Sequence, residues 1–568
     1  MGSSISHDSH QSAVETISHW DSNQTEEKLI YDHGSSEIRR YLEAVDKIHV
    51  FPANRRESDD LKSKAMARLE REFQTVLVRQ IDTSIGLNST SEWSSITDST
   101  ANVIRYEDFT VYDLPNKEVI EYLRNVAKRM NSGGKLGDCV RVYKSGRKNL
   151  LHTGLKRLRV MELSIGRDVK RFPWDYLKEK IELWIQVAKV CFYKLFDTEK
   201  QICGQIFEGF GVDSSEECFV EIVKDSANNL LIFAETVSLS NQPSERIGTI
   251  LGLYDTLVPL LPKIDALFYS KSAEAIRTKA KGIVSQLEDD VRRMLSDFEK
   301  AVFHELSPIQ EDRGAIHPLT EKVIDYIHLT LSHKKLLTNV INSMPPLKFG
   351  DQMISEGELG DLNGRSHFEL HLILIIVVLQ LNLKGKSEQY EHVPLRHLFL
   401  MNNVIYIVQK IQGSQELREM IGDDYMAKLN GNVRHAMTSY QDSTCNKFLS
   451  CFREDGLYVS WCFCSQLSKR ALRKQLKDFH FLFEEIQKFH SNWIVLDLEL
   501  RDKLRVSMVD KLIPAYKEFL QKFRTYIEIE QNSEIQTKHY QKINVKHSVE
   551  DLEALISKHL FSYNDISA

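Results

Sequence analysis

Along this chain apolar residues recur at intervals of three and four, the period of a helix that buries one face. The clearest series is Trp174, Leu177, Ile181, Trp184, Ala188, Cys191 and Leu195. It predicts one long helix behind Pro173, where a proline at the first turn sacrifices no hydrogen bond. His317-Pro318-Leu319, followed by Val323, Tyr326 and Thr330, predicts a second helix. Leu500, Leu504, Met508, Leu512, Ala515 and Phe519 predict a third, bent at Pro514. Ser548-Val549-Glu550-Asp551 reads as a capping box that opens a last helix through Leu552, Ile556 and Leu560. Near the front, Ile38, Tyr41, Leu42 and Val45 share a side, and Leu61 to Val78 carries the same pattern. No alternating strand pattern and no internal repeat stands out. The expected class is all-α, with helices packed on helices in successive small bundles.

The breaks in this pattern divide the chain. Residues 1–27 are rich in Ser, His, Asp and Gln, so residues 1–35 are expected to be a disordered tail. Residues 36–185 then hold the N-terminal helices and a first bundle, with a linker at 83–100 where ten of eighteen residues are Ser or Thr. A second bundle is expected over 186–309 and a third over 310–459. The third carries a loop at 344–366, marked by Pro345, Pro346 and four glycines. Residues 460–568 form the last unit. The longest apolar run, Leu372 to Leu379, is too short to span a bilayer, which takes about 20 residues, and reads as a buried core helix. No secretory signal is present, because the first thirty residues lack an apolar stretch.

Charge changes the picture in one place. The formal net charge of −6 argues against nucleic-acid binding, which needs a basic surface to displace counterions. Yet Ser465 to His547 holds 16 Lys and Arg against 11 Asp and Glu, so the remainder carries −11. Within that segment Lys469, Arg473 and Lys477 are spaced four apart, with Arg470 and Lys474 beside them, and would share one helix face. Further cations follow at Lys503, Arg505, Lys511, Lys522, Arg524, Lys538, Lys542 and Lys546. This accumulation in an otherwise acidic chain points to an anionic partner, above all a membrane face. The opening Met1-Gly2-Ser3-Ser4-Ile5-Ser6 fits the pattern for myristoylation of Gly2.

The search for reaction chemistry leaves no candidate catalytic residue and no cofactor. Gly385-Lys386-Ser387 ends like a phosphate-binding loop, but Gln380 stands where that loop needs its first glycine. Asp423-Asp424 after Gly422 reads as a helix start, carboxylates at the positive end of the dipole. The eight cysteines lack paired spacing, and Cys462 with Cys464 has no second pair, so buried reduced thiols are expected and no metal.

Several segments are similar to the seventy-kilodalton subunit family of the exocyst, in its plant-type form. They include Phe172-Pro173-Trp174-Asp175-Tyr176-Leu177, Gln205 to Gly209, and Gly314-Ala315-Ile316-His317-Pro318-Leu319-Thr320. The strongest match is His397-Leu398-Phe399-Leu400-Met401-Asn402-Asn403 with Tyr406 and Gly422-Asp423-Asp424. Trp493 with Asp497, Leu512 to Leu520 and Val549 to Glu553 complete the set, and Tyr41 to Ile48 fits near the front. The resemblance runs in register from Ile38 to Leu560. It implies an elongated rod of consecutive antiparallel helical bundles and a role in exocytosis, tethering vesicles as a cytoplasmic protein peripheral at the plasma membrane. It implies as partners the other exocyst subunits, Rho-type small GTPases and anionic phosphoinositide membranes. Phosphatidylinositol 4,5-bisphosphate would be bound by the last unit, through Lys546, Lys542, Lys538, Lys469 and Arg473. Where the plant-type pattern reads Lys-Tyr-Ile-Arg-Tyr-Ser, this chain has Ile543, Asn544, Val545, Lys546, His547 and Ser548. Lys546 matches the second basic position and Ile543 replaces the first. The alternative is an exocyst-derived cytosolic scaffold for signalling or defence proteins, without a working lipid site.

Overall fold

The computed structural model describes residues 2–22, 28–50, 55–86, 116–163, 172–211, 214–240, 243, 246–308, 313–344, 364–461, 464–529 and 543–559. The described chain is all-α apart from two small pairs of strands. It divides into two compact units, Met1–Met294 and Leu295–Ala568. That division falls inside a helix, Glu274–Phe303, and matches none of the bundle boundaries expected from the sequence.

The first unit contains α1 (Gly2–Trp20), α2 (Ser35–Val50), α3 (Arg55–Gly86), α4 (Lys117–Ser132), α5 (Leu136–Arg157), α6 (Trp174–Val190), α7 (Phe196–Phe207), α8 (Ser214–Ser238) and α9 (Ile247–Leu267). Helix α1 corrects the expected disordered tail. Ala13, Ile17 and Trp20, spaced four and three apart, are buried as α1 packs on α2 and α3. The Trp20 Nε1 donates to Glu37 at 3.4 Å, and the Arg68 guanidinium lies 5.5 Å from the Trp20 ring centre. Buried Glu72 of α3 then accepts from the Ile30 backbone N–H, from Arg68 and from the Tyr122 hydroxyl at 2.9, 3.1 and 3.0 Å. A carboxylate with three donors satisfies the loop before α2 and ties α3 to α4. The expected linker at 83–100 is helical as far as Gly86, and its remainder lies outside the described residues.

Helix α6 follows the predicted stripe closely. Leu177, Ile181, Trp184, Ala188 and Cys191 are buried, and the Trp184 indole donates to the Leu230 carbonyl of α8 at 2.8 Å. Trp174 is the exception: it is half-buried, with the Arg246 guanidinium 4.3 Å from its ring centre. A turn of π-helix at Cys191–Leu195 carries the chain into α7. There buried Arg147 of α5 meets buried Glu199 through two bonds of 3.0 and 2.5 Å.

The second unit follows from α10 (Glu274–Phe303), within which the division lies. It holds α11 (Pro318–Ser332), α12 (Lys334–Asn342), α13 (His367–Ser387), α14 (Val393–Gln412), α15 (Gln415–Ser450), α16 (Lys469–His490), α17 (Leu498–Lys522) and α18 (Val549–His559). The strands β1 (Tyr458–Trp461) and β2 (Cys464–Leu467) pair antiparallel before α16, while β3 (Ile527–Ile529) and β4 (Ile543–Val545) pair in parallel. Each is three or four residues long, too short for an alternating pattern to show in sequence. The run Leu372–Leu379 lies in α13, its side chains buried except Leu374, which is partly so. Residues 345–363 of the loop expected at 344–366 lie outside the described residues, and α13 opens with a capping box of Ser366 and Glu369. His317 caps α11, and Ser548 with Asp551 forms the predicted box at α18, both bonds 3.0 Å.

Helix α15 breaks at Gly422, which takes φ +76° and ψ 157°. Asp423 and Asp424 open the helical stretch that follows, as expected. Carbonyls freed at the break, Met420 and Ile421, accept from Arg365 Nη1 at 3.1 and 2.9 Å. A Cβ at position 422 would stand 2.9 Å from Arg365 Nη2, so the conformation disfavours any side chain here and the tip of Arg365 would also have to shift.

Two stability measurements check this account. Leu177→Ala leaves a cavity in a closed seam and should destabilise the first unit by about 2–5 kcal/mol in a denaturant melt. A loss under about 0.5 kcal/mol would contradict the burial of that face. Gly422→Ala should lower the stability of the second unit by about 1–3 kcal/mol through backbone strain and the displaced arginine, whereas Gly431→Ala, at an open helical site, should not.

Candidate functional site

The chemistry of the last hundred residues centres on α16. Ser468 caps it, accepting from the Ala471 N–H at 3.3 Å. Leu472, Leu476, Phe479 and Phe483 form its buried stripe, with Phe479 stacked 5.0 Å from Tyr516 of α17 and 4.8 Å from Phe452. Burial of that stripe orients the rest. Lys469, Arg470, Arg473, Lys474 and Lys477 are all exposed on the other side. The first turn carries no acidic residue, so Lys469 and Arg470 stand at the positive end of the helix dipole, where cations are disfavoured, and Arg473, Lys474 and Lys477 follow along the next turns.

The basic surplus is not uniform. Lys503 pairs with Glu499 at 2.6 Å, Arg505 with Asp502 at 3.6 Å and Lys511 with Asp442 at 2.9 Å. Lys522 contacts Glu454, and Lys546 contacts Glu484 of α16. Arg470, Arg473, Lys474 and Lys477 have no carboxylate within ion-pair distance among the described residues. The ammonium of Lys469 lies 5.9 Å from the Tyr526 ring centre. Lys517 of α17 and Arg524 likewise have no carboxylate within ion-pair distance among the described residues, so the unpaired charge is densest on α16 but not confined to it.

Of the residues read from sequence, the structure places Lys469 and Arg473 on this helix and brings Lys546 to it through Glu484. Lys538 and Lys542 lie outside the described residues, and Gly2 opens α1. Ile543 is buried and pairs with Ile527 across the β3–β4 ladder, and buried Val545 follows two residues on. Strand alternation thus turns 543 inward and Lys546 outward. A lysine at 543 would have to enter the core. Sequence inspection passed over Phe481, which is 69% exposed on the polar face of α16; its signal was an aromatic out of phase with the buried stripe.

Three other arrangements were weighed for chemistry. Lys386 is buried inside α13, where it pairs with Glu305 at 2.9 Å and donates to the Ser307 carbonyl at 2.7 Å, so it serves the core and no phosphate loop. Tyr326, His371 and Glu299 form a buried chain, hydroxyl to Nε2 at 2.9 Å and Nδ1 to carboxylate at 2.8 Å, that ties α10, α11 and α13 together. His490 is buried against Trp493, ring centres 4.3 Å apart, with Tyr440 at 3.3 Å from Nδ1. Burial, reinforced by His392, pushes the pKa of His490 down to about 3.

These features define an all-helical protein whose exposed chemistry is a pattern of charge on a rigid support. The family model described as the C-terminal region of the Exo70 exocyst complex subunit matches residues 182–558, and the Exo70 N-terminal model matches residues 10–79. The chain belongs to the Exo70 family of exocyst complex subunits, in its plant-type form. It is similar to exocyst complex component EXO70B1 of Arabidopsis thaliana, 28% identical over 88% of this chain and 79% of that one. EXO70A1 of the same plant is 29% identical over 92% of this chain and 83% of its own. The fold is that of the exocyst component Exo70p of S. cerevisiae, with a TM-score of 0.55 at 10% identity, covering 96% of this chain and 99% of that one.

His490 sets a pH dependence. An unfolded histidine binds its proton near 6.5, while His490 in place resists protonation down to about 3. Between those values the unfolded chain holds the extra proton, so the second unit should lose stability as pH falls below about 6.5, by up to ~1.4 kcal/mol per unit from this residue. Urea melts between pH 7 and 4.5 should show the slope. His490→Gln should reduce it, leaving the share of His480, whose pKa burial pushes down to about 4, even if it lowers stability at pH 7.

Proposed function

We propose that this chain is an exocyst subunit that tethers secretory vesicles to the plasma membrane, non-enzymatic and peripheral at the cytoplasmic face. In this reading the exposed face of α16 meets phosphatidylinositol 4,5-bisphosphate, and other exocyst subunits and a Rho-type GTPase are its protein partners. The observation that carries it is the set Arg470, Arg473, Lys474 and Lys477 along α16, which has no carboxylate within ion-pair distance among the described residues. A protein that needed only a solvated surface would gain by neutralising them, as it does around Lys503, Lys511 and Lys522.

Magnitudes support a shared attachment. Each Lys or Arg near an anionic leaflet contributes about 1 kcal/mol, so four contacts give about 4 kcal/mol, a dissociation constant near 1 mM. A myristoyl chain on Gly2 would be similarly marginal alone, about 10⁴ M⁻¹. Together, or with an assembled complex, they suffice. The scaffold reading without a lipid site draws on a specific observation as well: Ile543 is committed to the core and Lys546 already faces Glu484.

Co-sedimentation of the unmodified chain with vesicles containing phosphatidylinositol 4,5-bisphosphate separates the two. Arg473→Glu with Lys474→Glu should cut binding by about thirtyfold or more, and raised salt should weaken the parent. Lys546→Glu should matter less. Equal binding by the double variant and the parent would remove α16 from the lipid site. Affinity purification from cells should bring down other exocyst subunits, and their absence would favour the scaffold.

A further inference from the structure

The outer side of α16 carries more than charge. Arg470, Lys474, Lys477, Phe481 and Lys488 succeed one another at steps of four, three, four and seven, which keeps them on one side of a helix. All five are exposed. Phe481 lies in this row, 69% exposed, while its near neighbours Phe479 and Phe483 are buried in the stripe behind. The row is not wholly basic, since Asp478, Glu484 and Glu485 are also exposed on α16 and Glu484 faces Lys546. Two more aromatics stand at its N-terminal end. Tyr526 lies beneath Lys469, and the exposed Tyr458 opens a hairpin fastened to α16 by the Ser468 N–H donating to the Leu457 carbonyl at 2.8 Å.

From this arrangement we infer that Phe481 is a membrane anchor: α16 lies along an anionic bilayer, its cations among the headgroups and the Phe481 ring in the acyl boundary. The inference rests on the lipid reading above and adds to it an apolar component and an orientation. The charge complement names the occupant. Arg470, Lys474, Lys477 and Lys488, with no carboxylate within ion-pair distance among the described residues, call for a surface dense in phosphate, and a lone phenyl ring projecting from a convex helix face has no groove of its own to fill. A bilayer meets both demands, since its headgroups take basic side chains and the acyl boundary just below takes an aromatic ring. Tyrosines at the rim suit the same boundary, where an aromatic body meets a wet polar tip.

The test uses the full unmodified chain with vesicles of phosphatidylcholine, phosphatidylserine and phosphatidylinositol 4,5-bisphosphate, and with phosphatidylcholine alone. Phe481→Ala should weaken binding to the anionic vesicles by about tenfold at both low and high salt, leaving the salt slope as in the parent. Arg473→Glu with Lys474→Glu should reduce the slope itself. Phe481→Leu should restore most of the loss, and Phe481→Trp should bind and gain tryptophan quenching by bilayer bromolipids over the parent. Because the ring is exposed, melting curves of all Phe481 variants should match the parent. If Phe481→Ala binds like the parent while the charge reversal does not, the anchor is refuted and the electrostatic site stands. If the parent binds no vesicles, both fall. If Phe481→Ala spares vesicles but loses exocyst subunits on purification, the face is a protein interface and the anchor is again refuted.

Discussion

Two adjacent buried amides hold the second unit together. Asn402 donates to the carbonyls of Gly314 and Ile494, each at 2.7 Å. Asn403 accepts from the His317 N–H at 2.9 Å and the Thr320 hydroxyl at 2.6 Å, and donates to the carbonyls of Ala315 and Phe399. One turn of α14 therefore satisfies the segment before α11, the start of α11 and the segment that leads into α17. Backbone groups in such segments have no helix ladder of their own, and burying them unpaired costs about 1–3 kcal/mol each. Apolar stripes decide that these helices pack; the amides decide in which place the connecting segments lie.

This is why the strongest resembling motif was legible as a motif and opaque as a device. His397 to Asn403 and Gly314 to Thr320 both stood out in the sequence, but nothing in either says that they bond to each other across more than eighty residues. Helix α6 was legible because one period runs unbroken from Leu177 to Cys191. Helix α1 was not, because its polar residues dominate the composition, although Ala13, Ile17 and Trp20 carry a helical spacing that the eye for composition passes over. The short strands escaped for want of length. At the candidate site the charge row was legible from spacing alone, while the difference between paired and unpaired lysines was not. Pairing depends on which carboxylates the fold brings near: Glu454 to Lys522, Asp442 to Lys511 and Glu484 to Lys546.

The two kinds of buried charge in the first unit show the opposite arrangement from α16. Glu72 and Glu199 are fully enclosed, and each is met by an arginine and further donors or a bidentate contact. Inside the protein an uncompensated charge is ruinous, so the fold spends its polar side chains on closure. On α16 the charges remain in water, where the penalty of incomplete neutralisation is small.

The placement of Lys469 and Arg470 has a consequence for anyone who would engineer a sturdier version of this protein. Procedures that raise melting temperature by optimising helix ends would choose this turn first, replacing both residues with aspartate or glutamate to complement the dipole. The resulting protein would pass every assay of folding and purity. It would also carry acidic side chains on the first turn of α16, so that, if this helix meets an anionic surface as proposed, the substitution that steadies the helix would repel its partner.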